Sequence, residues 1–249
     1  MKMKKTGMTV MVVFAVLALC AASFAAEVEI TPYIWFPGVD GDITINGQDA
    51  DFDASAGDVF DTADVCGSLL GVVQFNRFLI WGQVDFFSWD TDELDMEDRP
   101  QGGSLEMEML LGEVAAGFQV DGWMEGMTFD ILGGVRFLSM ENDLEVYGEG
   151  TYSKDYDLVD PILVIRPSIP LFPSTIRGLR FNPTFAVGGG GDSELVYEFF
   201  PQIQYQFTEN FAARMGYRTI GYDFEGENND DNELNIRMSG MIFGLGLMF

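Results

Sequence analysis

Hydrophobic and polar residues alternate with a period of two along most of the chain, and the clearest stretch is the last, Ile236 to Phe249. Counting back from the terminus, Phe249, Leu247, Leu245, Phe243 and Met241 share one phase, and Gly246, Gly244 and Gly240 share the other. A strand embedded in lipid needs this split, large apolar groups on one face and small or polar groups on the opposite one. Similar alternation recurs at 28–37, 65–76, 78–90, 105–120, 128–141, 157–169, 178–189, 194–207 and 211–224, which predicts ten strands. None of these stretches approaches the roughly 20 continuous apolar residues of a transmembrane helix.

The exception lies at the start. Lys2, Lys4 and Lys5 precede an apolar run from Met8 to Ala22, followed by the small residues around Ser23-Phe24-Ala25. This order of basic, apolar and small residues reads as a cleaved secretory signal over 1–25, leaving 26–249 as a single domain. Only helices and closed barrels satisfy every backbone polar group in hydrocarbon. An exported chain with strand-period hydrophobicity is therefore expected to form an all-β, antiparallel transmembrane barrel.

The connections support an even strand count. With both termini on the inner side, the links at Asn76-Arg77, 121–127, 170–176 and 208–210 are short, whereas 38–64, 91–104, 142–156 and 225–235 are long. Short turns on one side and long loops on the other are the usual asymmetry of such barrels. The 190–193 link is the one tight turn expected on the outer side. Within the first long loop, two alternating arms flank Asn46-Gly47, a hairpin signal that would extend the rim. Counting those arms as spanning gives twelve strands and a narrower reading gives eight; ten is the expectation.

Charge and composition remove several chemistries. The net charge of −27 comes from 40 acidic and 13 basic residues, and the first 25 residues hold three of the bases and no acid. Such a surface disfavours nucleic acid. Cys66 is the only cysteine after the signal, so no intramolecular disulfide forms. Histidine is absent, which removes Ser-His and Asp-His hydrolytic machinery and leads to the expectation that the protein is not an enzyme and needs no cofactor.

Once the apolar phase is set toward lipid, the opposite phase gives the lumen. It contains Asp85, Glu113, Asp130, Arg136, Asp160, Arg166, Arg180, Glu194, Glu198, Gln202, Gln204, Arg214 and Arg218. Arginine forks satisfy carboxylates bidentately, and a lone buried charge is costly, so one reading is an ion-pair network that fills a narrow barrel. The other is a solute path whose Arg/acid ladder selects small ions. The aromatic residues Tyr33, Trp35, Trp81, Phe87, Trp89, Trp123 and Tyr222 fall near expected strand ends, where interfacial girdles form.

The stretches 38–64, 90–104, 141–157 and 223–233, which cover the long loops and their edges, hold 26 of the 40 acids. One reading is a solvated acidic rim, the usual fate of such runs; the other is a rim that concentrates cations and shares divalent ions with phosphates of the membrane surface. Asp49, Asp51 and Asp53 would share one strand face, but they lack the following Gly and distal Glu of a calcium loop, so no metal site is assigned.

The opening Tyr33-Ile34-Trp35-Phe36-Pro37-Gly38-Val39-Asp40-Gly41, together with Leu158-Val159-Asp160-Pro161, Met215-Gly216-Tyr217-Arg218 and Phe249, resembles small Gram-negative outer-membrane barrels. The chain is similar in style to the membrane domain of outer membrane protein A. This resemblance implies the bacterial outer membrane, with lipid and lipopolysaccharide as surroundings. It also implies insertion by the barrel-assembly machinery, which would read Gly244, Leu247 and Phe249 as its signal. The expected role is structural or a narrow passive channel for small solutes or cations. The alternative is a surface binding or adhesion protein that uses the acidic loops.

Overall fold

The computed structural model describes residues 26–45, 48–57, 65–91, 103–147, 150–225 and 233–249. Residues 1–25, expected to be a signal segment, and parts of the long connections lie outside them. Thirteen strands form one antiparallel sheet: β1 (Glu27–Ile45), β2 (Gln48–Ala54), β3 (Val65–Phe75), β4 (Phe78–Thr91), β5 (Gly103–Asp121), β6 (Thr128–Val146), β7 (Gly150–Pro170), β8 (Leu179–Phe181), β9 (Thr184–Gly188), β10 (Leu195–Phe200), β11 (Gln202–Gln206), β12 (Phe211–Glu225) and β13 (Glu233–Met248).

Ten staves close the barrel. β8 and β9 make one stave interrupted at Asn182-Pro183, and β10 and β11 make another interrupted at Pro201, where proline cannot donate to a ladder. Closure runs through β1, which pairs with β13 from Glu29↔Met248 to Ile43↔Leu234 and with β3 from Glu27↔Gln74 to Tyr33↔Ser68. The arm β2 pairs only with the upper part of β1, from Val39↔Ala54 to Ile45↔Gln48, so it extends the rim without adding a stave. The expected rim hairpin and the count of ten both hold.

The strands run farther than alternation alone suggested. β5, β6 and β7 continue past the apolar belt into the stretches expected to be loops, paired up to Gly103↔Val146 and Val146↔Gly150. The polarity of the wall inverts there. On β5 the outward residues from Leu110 to Val120 are apolar or small, whereas Glu108 and Glu106 continue the same face upward. On β6 the outward row passes from Phe129, Ile131, Val135 and Phe137 through Ser139 to Glu141, Asp143 and Glu145. On β7 it passes from Leu163 and Val159 to Asp157 and Asp155.

Inside, the order is opposite. Above Glu113, Arg136 and Asp160 the lumen is filled by Leu105, Met107, Met109, Leu111, Leu138, Met140, Leu144, Tyr156, Leu158, Ile220, Ile236 and Met238, all buried. The lower part is thus a lipid-facing barrel, while the upper part is a water-facing sheet around an apolar core.

This inversion corrects the aromatic assignment. Tyr33, Trp35, Trp81, Phe87, Trp89 and Tyr222 are all buried inside the barrel. Trp81, Phe87 and Trp89 share the parity of Gln83 and Asp85, so the pleat sends them to the lumen whatever their height. Of the aromatic residues expected at the girdle, Trp123 alone is exposed, at 80%, with its ring 5.4 Å from that of lipid-facing Phe129.

Candidate functional site

The lumen is crossed at mid-height by a layer of charge. The expected residues Asp85, Glu113, Arg136, Glu198 and Arg218 come from β4, β5, β6, β10 and β12 and meet on the axis. Arg218 donates from Nη1 to Asp85 Oδ2 at 2.6 Å and from Nε to Glu198 Oε1 at 3.1 Å. Its guanidinium lies 4.9 Å from the centre of the Trp35 ring, a cation–π contact in a desolvated site. Arg136 donates from Nε and Nη2 to Glu113 Oε2 at 3.0 and 2.6 Å, and from Nη2 also to Glu198. Gln83 donates to Glu113, and the Tyr33 hydroxyl donates to Asp85 Oδ1 at 2.6 Å. Each carboxylate therefore faces an arginine, the arrangement that makes burial of these ions tolerable.

Below this layer the wall stays polar. Arg214 binds Glu29 and, through Nη1 at 3.2 Å, Gln202. Gln74, Gln119 and Asp130 are linked side by side at 3.3 and 3.0 Å, and Arg166 approaches Asp130 at 3.7 Å while its guanidinium lies over Trp81. Ser168, Asn182 and Gln204 form a second chain at 2.7 and 2.6 Å, with Arg180 anchored on Ser168 Oγ and on the Gly126 carbonyl of the neighbouring turn.

All but one of the expected lumen residues face inward. Asp160 is fully buried and accepts the Ser193 amide. Glu194 is the exception: it is exposed in the turn before β10, because alternation begins only at Leu195, after Gly189 and Gly190 have turned the chain with positive φ. Sequence reasoning passed over Glu29 and Ser193 and gave Tyr33 and Tyr222 to the girdle. Shared parity with Thr31 on β1 and Ile220 on β12 was the available signal.

At the C-terminus Gly244 faces the lumen, Leu247 is half-buried and Phe249 is exposed at 70%. The Phe249 backbone closes the seam by exchanging hydrogen bonds of 2.9 and 3.1 Å with Val28. Ile242 points into the apolar core. Among the described residues no three His, Cys, Asp or Glu side chains converge closely enough to hold a metal ion.

The fold is that of bacterial outer-membrane β-barrels. The outer-membrane protease OmpT from Escherichia coli superposes with a TM-score of 0.51 at 9% identity, covering 90% of this chain and 96% of that one. The translocator domain of the autotransporter NalP from Neisseria meningitidis gives a TM-score of 0.46 at 10% identity, with 98% of each chain covered. No protein-family model matches the sequence, and no curated protein matches it. At such identities the likeness speaks to architecture, and function has to come from this chain's own residues.

Proposed function

We propose that the chain is an integral outer-membrane protein whose barrel carries no standing aqueous pore and serves as a structural, surface-presenting element of the membrane. The observation that carries this reading is the closed lumen: the Asp85–Arg218–Glu198–Arg136–Glu113 layer, covered by a fully buried apolar core. A narrow passive channel would have to part both. Purified protein in planar bilayers should give no steady openings. Stable ohmic steps in symmetric salt would overturn the sealed reading and favour the channel.

A second reading, surface binding, draws on the outer sheet. Outward-facing Glu108, Glu141 and Asp155 stand directly opposite one another across β5, β6 and β7, and Asp90, Glu106 and Asp143 form a parallel row. Like charges facing across strands are destabilising, and mobile cations relieve them. On this reading the outer sheet collects divalent cations diffusely and shares them with lipopolysaccharide phosphates. Magnesium added to protein in lipopolysaccharide-containing vesicles should then raise its thermal stability more than in phospholipid vesicles. Equal shifts would count against it.

A further inference from the structure

A second polar cluster lies behind the turn that joins β9 to β10. The chain there reads Gly188-Gly189-Gly190-Gly191-Asp192-Ser193. Gly189 and Gly190 have φ of +137° and +73°, and a Cβ on Gly191 would stand 2.3 Å from the Val159 carbonyl oxygen, so only glycines let the turn lie this close to β7. Polar contacts hold it down. The Asp192 amide reaches Val159 O at 3.3 Å, the Val159 amide donates to Asp192 Oδ2 at 2.8 Å, and the Ser193 amide donates to Asp160 Oδ1 at 2.9 Å.

Beneath the turn, four buried polar atoms have no hydrogen-bond partner: Asp160 Oδ2, Ser193 Oγ, Tyr222 OH and Arg136 Nη1. Their residues are 0%, 2%, 2% and 1% exposed. Arg136 and Asp160 are direct cross-strand neighbours on β6 and β7, both facing inward, yet the free oxygen of one and the free nitrogen of the other do not meet. The Tyr222 hydroxyl is within electrostatic reach of both. A buried polar atom left unpaired keeps the full cost of its desolvation, so four in one neighbourhood call for a shared partner.

We propose that Asp160, Ser193, Tyr222 and Arg136 enclose a buried water site, and that the glycine turn above it is where solvent exchanges with the charge layer. The chemistry selects the occupant. Arg136 repels a metal cation and Asp160 repels an anion, whereas water donates to the carboxylate, accepts from the guanidinium and bonds either way with the two hydroxyls. Gly190, Gly191 and Asp192 are exposed while Ser193 and Asp160 are not, so one turn of backbone separates this site from the outside. Through Arg136 the site is continuous with Glu113 and Glu198.

A double-mutant cycle of Ser193→Ala and Tyr222→Phe, read by equilibrium unfolding in detergent, tests the shared ligand. Each single variant should lower the folding constant by about fivefold and the double by clearly less than the product, because either change disrupts the same water. Strict additivity would overturn the shared site. A high-resolution experimental structure should show a water bonded to Asp160 Oδ2 and Arg136 Nη1; a direct ion pair between those atoms would refute it. Amide exchange in the folded protein tests the turn. Ser193 should exchange at least about tenfold faster than Val196 in the β10 ladder, and equal protection would remove the turn's role.

Discussion

Glu29 on β1 and Arg214 on β12 form an ion pair although their strands are not neighbours, because β13 passes between them with Gly244 and Gly246 facing the lumen. The glycines leave the space through which the arginine reaches. Arg214→Leu would strand Glu29 and Gln202 and should cost about 3–5 kcal/mol in equilibrium unfolding. Tyr217→Leu, on the lipid-facing side of the same strand, should cost less than about 1 kcal/mol. Equal losses would mean that the phase of β12 is wrong.

The same geometry makes Gly246 sensitive. A Cβ there would stand 3.0 Å from Thr31 Oγ1 and 3.2 Å from Glu29 Oε1, so Gly246→Val must push the carboxylate aside. We expect a loss of about 1–3 kcal/mol. In a Glu29→Gln background the added loss should be smaller, since the displaced side chain no longer has an ion pair with Arg214 to lose; an unchanged increment would show that the glycine does not serve the pair.

The inversion of wall polarity predicts opposite responses to one substitution on one strand. Val135→Arg, within the apolar belt, should destabilise the bilayer-embedded barrel by about 2–4 kcal/mol. Glu141→Arg, outward on the same strand between Glu108 and Asp155, should be neutral or stabilising, because it replaces a repulsive row with an alternating one. Refolding into lipid vesicles under urea gives both values.

Tryptophan fluorescence separates lumen from girdle. In variants keeping a single tryptophan, brominated lipid should quench Trp123, which is exposed beside Phe129, and leave Trp81, which lies under Arg166, largely unquenched. Strong quenching of Trp81 would return it to the interface.

An assembly role for the C-terminus and cleavage of an export segment are both testable in cells. Deleting Phe249 removes both the exposed terminal ring and the backbone bonds to Val28, and should lower the amount of heat-modifiable barrel in outer-membrane fractions. Mature protein is expected to begin near Ala26. Unchanged levels after the deletion would count against an assembly role for Phe249.

Phase was legible in the amino-acid order. Alternation is set by the pleat of each strand, so the inward list from Asp85 to Arg218, the ten staves and the rim arm were legible from local pattern. Glu194 was misplaced where a glycine turn breaks that local rule. Height and partnership came from the closed sheet. Phe87 and Asp85 share one face of β4, and nothing local says that one lies in an apolar core above the lipid belt and the other in a charge layer below it. Glu29 meets Arg214, and Arg218 meets Asp85, across strands that are not adjacent. Such contacts follow from register and from closure of the sheet, which bring together residues separated by 185 and 133 positions. The filling of the lumen belongs to the same level, because side chains from every stave share one volume.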